Sequence, residues 1–117
     1  MLKPLFWLGS TLEDLKACPV SVRQGAGYAL ELAQKGEKHV SAKPLKGFKG
    51  AGVLEVVTNF DGDTWRAIYA VKIRDAIYVL HVFQKKSKAG IATPKRDLDL
   101  VHQRLKFALA HSKDDKQ

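Results

Sequence analysis

Strand periodicity in the middle of the chain and helical periodicity at both ends predict an α+β fold: a twisted antiparallel sheet with an N-terminal helical hairpin on one face and a C-terminal helix. Two observations give the sheet its shape. Asp61-Gly62 separates two β-rich runs, and both residues tolerate positive φ, as a two-residue hairpin turn requires. The run from Ala76 to Gln84 is apolar on both alternations, with Ile77, Val79, His81 and Phe83 against Tyr78, Leu80 and Val82, which marks a strand covered on each side.

The elements follow in order. Leu5-Phe6-Trp7-Leu8, ended by Gly9, reads as a first strand short enough to be an edge. Ser10 to Glu13 matches the S-x-x-E capping box, so a helix is expected from there to about Cys18, where Pro19 stops it. Proline also suits the start of a new helix, and Val22, Ala26, Ala29, Leu30 and Ala33 recur at helical spacing until Gly36. From Gly36 to Gly52 the chain is rich in Lys, Gly and Pro (Lys38, Lys43, Pro44, Lys46, Gly47, Lys49, Gly50), which predicts a basic loop without a packed element. Loops of that length are uncommon in small domains unless functional, so this one is a candidate binding surface, with a flexible linker carrying solvating charges as the equal alternative. Val53 to Phe60, Thr64 to Ile73 and Ala76 to Gln84 then form an antiparallel meander. Thr93-Pro94 reads as N-cap and first helical residue of a last helix, with Leu98, Val101, Leu105, Ala108 and Leu109 as its apolar stripe. Ser112 to Gln117 has nothing to bury, so residues 1–111 are expected to form one domain and 112–117 a disordered tail.

Composition narrows the function classes. A chain of 117 residues is sized for one domain. Its formal charge of +8, from 20 Lys and Arg against 12 Asp and Glu, favours a polyanionic partner, nucleic acid before an acidic protein or an anionic membrane surface. The single cysteine, Cys18, permits neither an internal disulfide nor a cysteine-based zinc site. The N-terminus lacks a signal-peptide pattern, and no apolar run approaches the roughly 18 residues of a membrane span, so a cytoplasmic protein without a membrane partner is expected. The sequence has no Gly-rich phosphate loop with Lys-Ser/Thr, no H-E-x-x-H and no nucleophile elbow, so no metal or cofactor is expected.

Strand parity places the charges. With Asp61 and Gly62 as turn residues, Phe60 faces Asp63, Val57 faces Arg66 and Glu55 faces Ile68, so Glu55 and Arg66 are diagonal neighbours on one face. Taken alone, they read as an exposed cross-strand pair contributing at most about 1 kcal/mol. Lys85 and Lys86 end the third run and, if the strand continues through them, project to opposite faces, so at most one of them shares the face of Arg66. His81, inside the apolar alternation, reads as a core histidine bonded to backbone. Trp65, Tyr69 and Tyr78 could stack bases, although aromatics on strands are more often core. The sheet face opposite the helical hairpin is expected to stay partly open.

The ordered series Pro44-Leu45-Lys46-Gly47, Gly52-Val53-Leu54-Glu55-Val56, Trp65 to Val71, Tyr78 to Ser87 and Thr93-Pro94 resembles the phage-derived HigB-like toxin family of the RelE/ParE superfamily, from residue 5 to about 110. The resemblance implies a RelE-like fold and the toxin of a bacterial type II toxin-antitoxin pair. It implies ribosome-dependent cleavage of mRNA by metal-independent 2′-hydroxyl attack, with a helix-turn-helix antitoxin, the mRNA and the ribosome as partners. Arg66 matches the family's third-strand arginine and would bind phosphate; Lys86, or its neighbour Lys85, takes the strand-end basic position. Glu55 would orient Arg66 or act as a base, and Lys46, Lys49, Lys95 and Arg96 would hold the RNA backbone. Many RelE relatives carry an arginine where Lys86 stands and an aligning tyrosine or histidine near the C-terminus; this chain ends in His111-Ser112 and a charged tail. Two alternatives stay open, a ParE-like DNA gyrase inhibitor and a non-catalytic basic nucleic-acid-binding domain, because fold alone does not fix activity.

Overall fold

Alternating apolar residues in the middle of the chain assemble a sheet whose two faces are buried by different helices. The computed structural model describes residues 2–48, 50–85 and 93–114. Its elements are β1 (Leu5–Trp7), α1 (Thr11–Lys16), α2 (Val20–Gln34), β2 (Lys43–Pro44), β3 (Val53–Phe60), β4 (Asp63–Ile73), β5 (Ala76–Lys85) and α3 (Lys95–Asp114). The described strands form a five-stranded sheet in the order β1-β5-β4-β3-β2. The β3–β4 register is the one that parity requires, with Phe60 opposite Asp63, Val57 opposite Arg66 and Glu55 opposite Ile68. Asp61 and Gly62 close the hairpin at φ values of 52° and 83°. The meander is antiparallel, but β1 runs parallel to β5, with Phe6 opposite Tyr78. The two helices that follow β1 carry the chain across the sheet before the meander begins, and a crossover of that kind permits parallel pairing.

The helical hairpin covers one face. Val22, Ala26, Ala29, Leu30 and Ala33 of α2 pack with Leu15 and Cys18 against Val56, Ala67, Tyr69, Ile77 and Val79. The capping box at its start is not made: the Ser10 hydroxyl donates to the Asp14 carboxylate at 2.8 Å and caps no backbone N–H. Ser10 has φ −91° and ψ 13°, outside the extended conformation that aims an N-cap side chain at those donors.

The opposite face is covered more than the sequence suggested. Val101 and Ala108 of α3 are fully buried over Ile68, Ala70, Tyr78 and Leu80, flanked by partly buried Leu98 and Leu105, whereas Leu109 is exposed. The Lys-rich segment also packs. Ala42, Leu45 and Phe48 are buried, Lys43 and Pro44 pair with Glu55 and Leu54, and the Phe48 ring stacks on His102 of α3 at 4.1 Å. Three apolar side chains are enough to anchor a segment whose described lysines, Lys38, Lys43 and Lys46, stay exposed. At the C-terminal end, α3 continues through Asp114, and Ser112, where a tail was expected to start, is buried with its hydroxyl donating to the Leu109 carbonyl.

Candidate functional site

Register brings Glu55, Arg66 and Lys85 together on the α3-facing side of the sheet. Arg66 on β4 stands opposite Val57 of β3 and opposite Phe83 of β5. Its diagonal neighbours on that face are therefore Glu55 on one side and His81 and Lys85 on the other, at about 7–8 Å between α-carbons. Lys85 is thus the lysine that shares the face of Arg66, and it is buried.

Glu55 is a junction. Its Oε2 accepts from Arg66 Nη1 at 2.6 Å and from the Thr93 hydroxyl at 3.2 Å. The ion pair is not the exposed one expected from sequence: the side chains are 8% and 14% exposed. Thr93, two residues before α3, lies against this end of the face. Thr93 accordingly gives its hydroxyl to the sheet instead of capping, and α3 begins at Lys95.

His81 also departs from expectation. Its partner is a carboxylate, Asp97 of α3, with Nε2 at 2.8 Å from Oδ1. A carboxylate can only accept, so Nε2 carries the proton of that bond. Burial holds the imidazole below its usual pKa against the opposing influence of Asp97, so at neutral pH the ring is neutral and Nδ1 presents a lone pair. Nδ1 is buried without a hydrogen-bond partner among the described residues, and the ring stacks on Phe83 at 4.4 Å. Beside it a cleft of about 570 Å³ is lined by His81 from the sheet and by Arg96, Asp97, Asp99, Leu100 and Gln103 from α3. Sequence patterning missed this pair because residues 81 and 97 belong to different elements.

The remaining predicted residues spread around this centre. Lys95 is exposed and pairs with Asp99 one helical turn on, at 2.9 Å, and Arg96 is exposed at the cleft. Lys46 is exposed on the turn before Phe48. Lys49 and Lys86 lie outside the described residues. His111 is held elsewhere, its Nδ1 at 2.8 Å from the Tyr78 hydroxyl and its ring against Phe6; Tyr78 is five residues from Phe83, roughly 16 Å along a strand. Tyr69 and Tyr78 are core residues, each 1% exposed, and no base could stack on them in this fold. A second cavity, of about 480 Å³ and rimmed by Lys3, Lys38 and Lys72, contains none of the predicted catalytic residues.

Residues 13–106 match the family model described as phage-derived protein Gp49-like. The chain belongs to this family. The Gp49-like family is a HigB-like family of RelE/ParE toxins, and the order of helices, mostly antiparallel sheet and C-terminal helix agrees with a RelE-like fold. No curated protein and no solved structure matches significantly. The matched span takes in Glu55, Arg66, His81, Lys85 and Asp97, so the whole described cluster lies within the Gp49-like region. No helix among the described residues is long and apolar enough to cross a membrane.

Proposed function

We propose that this Gp49-like toxin is a ribosome-dependent mRNA endoribonuclease, neutralised by a helix-turn-helix antitoxin. The observation that carries the proposal is the placement of two buried cations, Arg66 and Lys85, as diagonal neighbours on one sheet face, with Glu55 fixing the guanidinium from the other side. Cleavage by 2′-hydroxyl attack forms a bond from O2′ to phosphorus and breaks the bond to the 5′-oxygen. It needs a proton removed from O2′, charge neutralised on the phosphorane-like transition state, and a proton delivered to the leaving oxygen. Arg66 serves the phosphate, since a planar guanidinium fork can donate to two phosphate oxygens at once. Lys85, with Lys86 beside it in sequence, supplies the strand-end cation. Glu55 orients Arg66 through Oε2, which accepts from both Arg66 and Thr93, and its other carboxylate oxygen is assigned to take the O2′ proton, while Lys85 gives a proton to the leaving 5′-oxygen. Lys46, Lys95 and Arg96 hold the RNA backbone from the exposed rim, with Lys49 assigned to the same task. Both buried cations must meet phosphate, so the proposal includes a movement of the side chains over Arg66 and Lys85 when RNA binds, with the first turn of α3 staying in place.

Expression of the protein alone is expected to arrest bacterial growth, with transcripts cut in ribosome-containing extract and left whole when the ribosomes are removed. Intact transcripts together with inhibited DNA supercoiling would move the activity to gyrase, and tight RNA binding without cutting would leave a binding domain.

A further inference from the structure

The first turn of α3 is attached to the sheet by polar bonds. Apolar anchoring of α3 begins with partly buried Leu98 and becomes complete at Val101 and Ala108. N-terminal to these, Thr93 bonds Glu55 and Asp97 bonds His81. Arg96, Asp99, Leu100 and Gln103 form the cleft wall facing His81, so the cleft exists where the helix is held against β5 at that residue. Neutral His81 with its proton on Nε2 can make this bond in one ring orientation, and stacking on Phe83 fixes that orientation.

We propose that His81 and Asp97 are positioning residues, a latch that holds the first turn of α3 beside Arg66 and thereby sets Thr93 on Glu55 and Arg96 at the mouth of the cleft. The functional part of this inference rests on the RNA-cleavage proposal, whereas the latch itself does not. Arg66 meets the phosphate; His81 acts through Asp97 and the helix that Asp97 belongs to. The ring nitrogen facing Asp97 is occupied, and the other is buried, so neither is presented to a 2′-hydroxyl.

The full chain is compared as wild type, His81→Gln, His81→Ala and Asp97→Ala. A glutamine amide can still donate to Asp97, whereas alanine cannot. Amide hydrogen exchange in residues 98–100, the first amides of α3 with helical acceptors, should accelerate at least about tenfold in both alanine variants while residues 105–110 keep their protection, since local opening is confined to the segment that loses its tie. His81→Gln should keep most of that protection. Cleavage of mRNA on ribosomes should fall by up to about 10² in the alanine variants, as expected for misplacement near 1 Å, and His81→Gln should stay within a few-fold of wild type. If His81→Gln is as inactive as His81→Ala while its first turn remains protected, His81 acts chemically and the positioning role is overturned. Unchanged exchange in both alanine variants overturns the latch. If His81→Ala does not fold, Asp97→Ala gives the same readout from the helix side. Should the wild type fail to cut RNA, the nuclease proposal falls with the functional half of this one, and exchange still decides whether the latch exists.

Discussion

At the scale of single residues, burial changes what Arg66 and Glu55 are worth. An exposed cross-strand pair contributes at most about 1 kcal/mol, but removing one partner of a buried pair leaves an uncompensated charge and costs about 3–5 kcal/mol. With side chains 8% and 14% exposed, this pair belongs to the second class. Arg66→Ala should therefore lower the unfolding free energy measured in urea by about 3–5 kcal/mol, which prevents that variant from separating catalysis from folding. Arg66→Lys separates them. It keeps the charge and loses the planar fork, so it should remain folded while single-turnover cleavage drops about 10²- to 10³-fold. Full-rate cleavage by a folded Arg66→Lys would show that the fork does not bear on the transition state. His81 adds a pH dependence. The ring sits among Asp97 and Arg104 from α3 and Asp14 from α1, with Arg66 on the neighbouring strand, and desolvation outweighs the carboxylates to lower its pKa. The unfolded chain then takes up the proton more readily than the folded one. The stability due to neutral His81 is fully present above about pH 6.5, the unperturbed histidine value, and is lost as pH falls through the folded pKa. Melting temperature followed from pH 8 to pH 5 should decline more steeply for wild type than for His81→Gln, and parallel curves would refute the assignment.

At the scale of elements, what could be foreseen was what local pattern encodes. The hairpin at Asp61-Gly62 fixed the β3–β4 register and with it the pairing of Glu55 with Arg66, because a two-residue turn leaves one alignment. The apolar spacing of α2 named the residues that it buries. Three features depended on distant parts of the chain and had no local signal. Parallel pairing of β1 with β5 joins residues about seventy positions apart. The anchoring of the Lys-rich segment needs α3 as the platform for Phe48. The Asp97 partner of His81 becomes visible only once α3 is docked. A further tie of this kind is Arg104, whose Nη1 donates to the Leu80 carbonyl at 2.9 Å while the guanidinium lies over Gly9. Gly9 has φ 56°, and a Cβ built there would stand 2.6 Å from Arg104 Nη2. Gly9→Ala combines left-handed backbone, about 1–2 kcal/mol for an L-residue, with displacement of that guanidinium. A drop in melting temperature of roughly 4–8 °C or more is expected from 1 kcal/mol in a domain of this size, and Arg104→Ala should remove part of the difference between Gly and Ala at position 9. An unchanged melting temperature would mean that Arg104 moves aside freely and does not help to hold α3.

At the scale of the whole molecule, the charge of +8 is the property most directly connected to a polyanionic substrate. The fold distributes that charge in two classes. Lys85 and Arg66 are buried at the centre of the proposed site, where the nuclease proposal assigns them to one phosphate, while Lys43, Lys46, Lys95 and Arg96 are exposed on the β2 segment and the first turn of α3. Stacking of Phe48 on His102 ties the β2 segment to α3. Asp97 and Asp99 on the same turn oppose phosphate, and Lys95 is already paired with Asp99, which limits how much of the formal charge can be used for RNA. Exposed cations that neutralise phosphates release counterions, and each contact adds about 0.7 to the slope of log affinity against log salt for a single strand. Replacing Lys43, Lys46 and Lys95 together by alanine should therefore reduce that slope by about 2 if all three touch phosphate. These side chains are exposed, so the melting temperature should hardly change. Binding of a labelled single-stranded RNA from 50 to 300 mM salt, for wild type and the triple variant, makes the measurement. A slope that stays the same in the triple variant would mean that the rim does not hold RNA. The binding surface would then have to lie away from the β2 segment and the first turn of α3.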